Sequence, residues 1–366
     1  MTVQNDIYDS SASAQVRVQL FCDQYELRVP VLMAPMAGAC PPELAVAVVS
    51  AGGMGACGAL LMSPADIETW VAEFRQKTNG GFQLNNWVPD PEPVRNVEHE
   101  QALGSFLKQW GPDVPAEAAD VPQLDFDQQC DTMLSLNPRV MSSIMGLYPE
   151  HVVQRMKSAG IAWFANATTV TEALMAEAAG ADVIVAQGME AGGHRGAFNA
   201  TDAQTDLVGL FSLLPAIVDA VKVPVVAAGG VSHPRAVAAA LTLGASAVQI
   251  GTALLRSTQA NTPPALAAAM ATARPESTVA TRAFSGRLGR SLKTAYTVAA
   301  EAQTAPEPAA YPVQRNLTAP MRKQAIKNND IDAMQAWAGQ SCAYAKAKPA
   351  ESIIDELWRE ARRLLP

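Results

Sequence analysis

The segment AQGMEAGGHRGAF, residues 186–198, places one histidine, His194, among four glycines at the end of an apolar run. Glycine gives up side-chain packing, so such a cluster marks close backbone approach or φ angles that other residues avoid. Imidazole ordinarily titrates near neutrality, so a histidine held over a ligand can act as a general base at working pH. The bland alternative is a crowded turn in which His194 hydrogen-bonds its own loop. Glu190 and Arg195 beside it read either as an internal pair or as surface charges.

Two further glycine turns, AAGGVSHPRAV and AVQIGTALL, each follow an apolar run and precede a helical pattern. Free N–H groups at such turns form a phosphate site, with Gly229, Gly230, Gly251 and Thr252 as candidates. Other strand-end positions are small or amide-bearing, among them Ala34, Asn85 and Gln187, which suits a flat ring whose edge alternates donors and acceptors. No P-loop is present, and GGMGACG lacks the downstream acidic residue of a dinucleotide fingerprint, so a mononucleotide is expected. Of the other histidines, His99 reads as solvated, His151 as structural, and His233 as a helix-entry residue. Cys40 and Cys57 read as packing.

Eight apolar runs alternate with helical patterns from residue 31 to about 272, mostly without polar alternation, as expected for strands covered on both faces. That repeat predicts a (β/α)8 TIM barrel forming a single domain over 1–366, with the site at the C-terminal strand ends. The segment TPPALAAAMATA reads as the eighth helix. Residues 89–137, rich in Pro, Asp, Glu and Gln, read as an insertion after the third strand with a short helix near EQALGSFLKQW. Residues 275–366 read as a C-terminal extension covering the barrel mouth and one side.

Of the 366 residues, 49% are hydrophobic and 17% charged, enough apolar content for a large core. A net charge of −8 argues against nucleic acid or an anionic membrane surface as partner. Five scattered cysteines without a C-x-x-C pair predict neither disulfides nor a metal site. The polar first sixteen residues show no signal peptide and no run is long enough to span a membrane, so a cytoplasmic protein, monomer or homodimer, is expected.

The stretches VLMAPMAGACPPELAVAVVSAGGMG, GFQLNNWVP, VAQGMEAGGHRGAF, PVVAAGGV, AVQIGTALL, FSGRLGR and YPVQRNLTAPMR…AMQAWAGQS resemble, in order, nitronate monooxygenases of the first class, once called 2-nitropropane dioxygenases. The resemblance implies an FMN-dependent barrel oxidising alkyl nitronates, such as propionate 3-nitronate, with O2. It carries FMN contacts to Met33, Ala34, Met36, Asn85, Gln187, Gly192, Gly193, Gly229, Gly230, Gln249, Gly251 and Thr252. It carries the base for neutral nitroalkanes to His194. Ile144 stands where the family usually has a second histidine, which removes a polar group from the pocket wall. The alternatives are a flavin-dependent NAD(P)H reductase for enoyl-acyl-carrier-protein or quinone substrates, and a non-enzymatic flavin- or phosphate-binding protein.

Overall fold

The computed structural model describes residues 12–365, so most of the polar leader lies outside the described residues. Eleven strands occur in chain order among them: β1 (Val31–Met33), β2 (Gly55–Gly58), β3 (Phe82–Trp87), β4 (Val140–Ile144), β5 (Ala162–Ala167), β6 (Val183–Gln187), β7 (Gly193–His194), β8 (Val225–Ala228), β9 (Ala247–Ile250), β10 (Thr278–Thr281) and β11 (Gly289–Leu292). Eight of them pair in parallel in the order β1-β9-β8-β6-β5-β4-β3-β2. The ring closes just before β2, where Met33 N donates to Met54 O at 2.9 Å and Met54 N donates to Val31 O at 3.3 Å. This is the expected TIM barrel, and each of the eight apolar runs supplies one of its strands.

The missing polar alternation has a direct cause. Along β1, Leu32 points into the barrel interior with Met54, Phe164, Val185 and Val226, while Val31 and Met33 pack outward against the helices. Both faces are therefore dry. The helix Ala14–Tyr25 plugs the interior from one end: the Phe21 and Tyr25 rings lie 6.2 and 5.1 Å from that of Phe164.

Two sequence expectations shift. Helix Phe126–Ser135, within the supposed insertion, packs between helices Pro64–Lys77 and Glu150–Ala159 and is the third helix of the barrel ring. Its polar composition hid it, but Asp125 caps it by accepting from Gln128 N at 2.9 Å, and Cys130, Met133 and Leu134 are buried. The excursion proper runs from the end of β3 to Asp125, and its helix Val97–Leu107 packs into the tail's own core through Leu103 and Leu107. The second shift concerns the eighth helix. Pro264–Thr272 also joins the tail's core, through Leu266 and Met270. The vacant place in the ring, between helices Pro234–Thr242 and Pro42–Ser50, is filled by Ala350–Arg362. That helix buries Ile353, Ile354 and Leu357 on one face, the 3.6-residue periodicity of a helix laid on a core.

The tail otherwise lies over the C-terminal strand ends. β10 and β11 form an antiparallel pair, and β11 pairs in turn with β7, the dipeptide that carries His194. No helix among the described residues is long and apolar enough to cross a membrane. One buried ion pair ties three segments together. Arg287, fully buried, donates from Nε to Asp90 Oδ2 at 2.8 Å and from Nη1 to Ala197 O at 2.7 Å, joining tail, excursion and His194 loop. Asp90→Ala leaves that guanidinium without its counter-ion, and should lower unfolding free energy in a denaturant titration by about 3–5 kcal/mol.

Candidate active site

β6 ends at Gln187, and the chain must then turn back to bring His194 over the strand ends. The Gln187 amide holds that turn at both ends. Its Nε2 donates to His194 O at 3.1 Å and its Oε1 accepts from Gly196 N at 2.8 Å. Arg195 is buried and donates to three carbonyls, Gln187 O at 2.5 Å, Asp206 O at 2.9 Å and Thr168 O at 3.0 Å. Glu190 accepts from Leu210 N at 2.9 Å, at the start of helix Leu210–Ala220. The two charges are thus neither paired with each other nor free at the surface; each satisfies backbone of the loop or its neighbours. Gly193 needs its φ of 74°, whereas a Cβ on Gly192 would collide with the backbone of Ala338 and Gly339.

The imidazole is fixed as firmly as its loop. Its Nε2 lies 2.8 Å from Ser285 Oγ, and Ser285 Oγ donates its single proton to Arg287 O at 3.1 Å. Nε2 therefore carries the proton and donates, which leaves the lone pair on Nδ1. The rings of Trp87 and Trp337 stand edge-on to it, with centroids at 4.7 and 5.1 Å. Burial, and then the charges of Arg287, Arg315 and Arg322, push its pKa down to about 3. The sequence reading expected an ordinary imidazole pKa here; the structure instead holds His194 neutral and makes it a weaker base than a free imidazole.

A cavity of about 610 Å³ opens at the C-terminal strand ends, within the size range of small-ligand and cofactor sites. His194, Ala34, Met36, Asn85, Gln187, Gly192, Gly193, Gly229, Gly230, Gln249, Gly251, Thr252 and Ile144 all line it. Met33 does not: strand parity turns its side chain outward into the core, fully buried, and only its carbonyl faces inward, accepting from Gln83 Nε2 at 2.9 Å. Ile144, half-buried at the end of β4, leaves an apolar wall where a Cβ on Gly196 would touch its Cγ1.

At the opposite end, Gly229 and Gly230 have φ of 100° and 72°. The N–H groups of Gly230, Val231 and Thr252 have no acceptor among the described residues, so the turn offers an anion a set of unsatisfied donors. The helix after Gly230 begins as expected, with His233 as its cap, Nδ1 accepting from Arg235 N at 3.2 Å. Gly251 leads only into the short 3₁₀ turn Thr252–Leu254; the next α-helix begins at Pro264, with the proline in its first turn. Thr252 Oγ1 accepts from Gly339 N at 3.0 Å, so its hydroxyl holds the tail.

Two histidine readings also shift. His99 is tied to the tail through Glu307 O, 2.7 Å from its Nε2, and His151 is exposed in the first turn of its helix. Cys40 packs as expected, its Sγ accepting from Met36 N at 2.9 Å, and burial pushes its thiol up to about 12. Sequence reasoning missed Trp87, Ser285, Arg315, Arg322 and Trp337. All five stand in the stretches that carry the family resemblance, but no local spacing reveals that the tail folds back beside His194.

The nitronate monooxygenase family model matches residues 19–360. The chain belongs to that family. It is 34% identical over 342 residues to a probable nitronate monooxygenase of Staphylococcus aureus, covering 93% of this chain and 96% of that one. A nitroalkane oxidase structure from Streptomyces ansochromogenes superposes with a TM-score of 0.86 at 33% identity, over 94% of this chain and 98% of the other. FabK from Thermotoga maritima superposes at 0.74 with 27% identity, over 94% and 96% of the two chains. As a nitronate monooxygenase family member the protein is an oxidoreductase.

The lowered His194 pKa has a defined sign in stability. The unfolded chain binds this proton near 6.5 and the folded one near 3, so stability from the neutral ring is complete above about pH 6.5 and is lost as pH falls through that window. In an NMR titration the His194 ring should stay neutral at pH 5, and His194→Asn should flatten the fall in melting temperature between pH 6.5 and 4.

Proposed function

We propose that the protein is an FMN-dependent enzyme oxidising alkyl nitronates with O2 to a carbonyl compound and nitrite. The observation that carries this is a neutral, positionally locked imidazole in the wall of a cavity that has no Asp, Glu or Lys among its described lining residues. FMN fits that cavity on two grounds. The unsatisfied N–H groups at Gly230, Val231 and Thr252 suit its phosphate, and the small residues Ala34, Ala228 and Gly251 leave room for a flat ring near Asn85 and Gln249. Bound there, FMN supplies the electron acceptor that the protein's own side chains lack.

The residues divide the remaining work. Gln187 holds the His194 backbone and Ser285 its ring, so Nδ1 is the atom available to take an α-proton from a neutral nitroalkane. A base held at so low a pKa takes that proton weakly, whereas a nitronate arrives without it and needs no base, so the site favours nitronates. Trp87, Tyr311 and Trp337 wall this end: the Trp87 and Tyr311 rings stack at 4.7 Å, and Trp87 and Trp337 meet the imidazole edge-on.

His194→Asn separates the two substrate forms. Activity on neutral nitroethane should fall by about 10²-fold, the low end of what a positioned base contributes, because this one is held at a low pKa. Activity on ethylnitronate should fall much less, at unchanged flavin content. Equal losses on both would make His194 a positioning group instead. Heat-released cofactor should run as FMN, and anaerobic reduction by NADPH should be slow beside nitronate turnover; fast NADPH oxidation with an enoyl or quinone acceptor would transfer the assignment to a flavin reductase.

A further inference from the structure

We propose that Arg315 is the anion receptor of this cavity, binding the oxyanion end of the substrate and making the site select anionic substrates over neutral ones of the same skeleton. The inference rests on the reading that the substrate is a nitronate or nitroalkane.

Arg315 lies in helix Val313–Leu317 of the tail, half-buried, and lines the cavity. The other arginines around the site are committed. Arg287 serves Asp90 and Ala197 O. Arg290 donates to Met189 O at 2.8 Å and Thr278 Oγ1 at 3.0 Å. Arg322, also in the lining, donates to Thr318 Oγ1 at 3.1 Å, Gln335 Oε1 at 3.2 Å and Arg315 O at 2.8 Å. The Arg315 guanidinium alone among these four makes no hydrogen bond or ion pair with any described residue. No carboxylate lines the cavity to serve as its counter-ion.

A half-buried cation without a partner is an incomplete pair, and an incoming anion completes it. The planar fork of a guanidinium matches the two coplanar oxygens of a carboxylate or of a nitronate group. Its position favours substrate over cofactor phosphate. Its charge bears on His194 and on Tyr311, and Tyr311 stacks on Trp87, whose edge meets the imidazole. Arg315 therefore serves the histidine end, where the proton and electrons leave carbon. The glycine turns supply their own donors.

The anion it reads can be the nitronate group itself or a carboxylate elsewhere on the substrate, and the test separates these. Arg315→Met and Arg315→Lys are compared with wild type as flavin-loaded proteins. KM is measured for ethylnitronate, for propionate 3-nitronate and for neutral nitroethane, and calorimetry gives Kd for nitrite and for propionate. A charge-assisted hydrogen bond corresponds to about a 10- to 100-fold effect. Arg315→Met should weaken nitrite binding and raise nitronate KM by that much, leave nitroethane KM within about twofold, and Arg315→Lys should recover part of the loss. A penalty shared by both nitronates assigns the contact to the nitronate group; one confined to propionate 3-nitronate and propionate assigns it to the carboxylate. Unchanged nitrite and propionate binding with unchanged nitronate KM overturns the proposal, as does an equal effect on nitroethane. Loss of flavin with normal anion binding overturns it in favour of a cofactor role. If wild type oxidises no nitronate while Arg315→Met still weakens nitrite binding, the functional reading falls and the anion receptor stands.

Discussion

The site depends on one close approach of backbone to backbone. The tail residues Ala338 and Gly339 lie against Gly192, with no room for even a methyl group between them. From that contact the strap Trp337–Ser341 reaches in several directions. Ala338 N donates to Arg290 O at 3.3 Å, Gly339 N to Thr252 Oγ1 at 3.0 Å, Gln340 N to Glu190 O at 3.0 Å, and Ser341 Oγ to Gly230 O at 2.8 Å. The strap thereby joins the histidine loop to both glycine turns. A barrel alone presents loops at its strand ends; here the strap binds those loops to one another and brings Trp337 up to the imidazole.

This arrangement explains why fold and site were unequally legible in the sequence. The eight strands showed because both of their faces are dry, which removes alternation and leaves dense apolar runs. Most of the cavity floor showed for a related reason: strand ends that admit a ring must be small, and small residues cluster visibly in Ala34, Gly229, Gly230 and Gly251. Met33 came from the family resemblance alone; its side chain turns outward into the core, and only its carbonyl faces inward. Gly192 was read as a floor for ligand, and it does line the cavity, but the packing of the strap against it already requires glycine there.

What stayed hidden is everything that depends on distance along the chain. Ser285 meets His194 across 91 residues, and Asp90 meets Arg287 across 197. Nothing near residue 194 announces the burial, or the three guanidinium groups, that depress its pKa. The eighth helix of the ring was misassigned for the same reason: Pro264–Thr272 is the next α-helix after β9, yet Ala350–Arg362 has the stronger one-sided apolar face and takes the place. Local pattern decides that a segment is helical; competition for the exposed edge of the core decides where it goes.

The strap also bears on timing. Residues 339–341 bond to Thr252, Glu190 and Gly230, so the histidine loop and both glycine turns must already be in place before this short segment can complete its hydrogen bonds. Contacts so distant along the chain carry a loop-closure cost that only the assembled barrel repays. The strap therefore couples the two ends of the site: a displacement of the loop at Gly192 is carried through one short segment to the turns at Gly230 and Thr252.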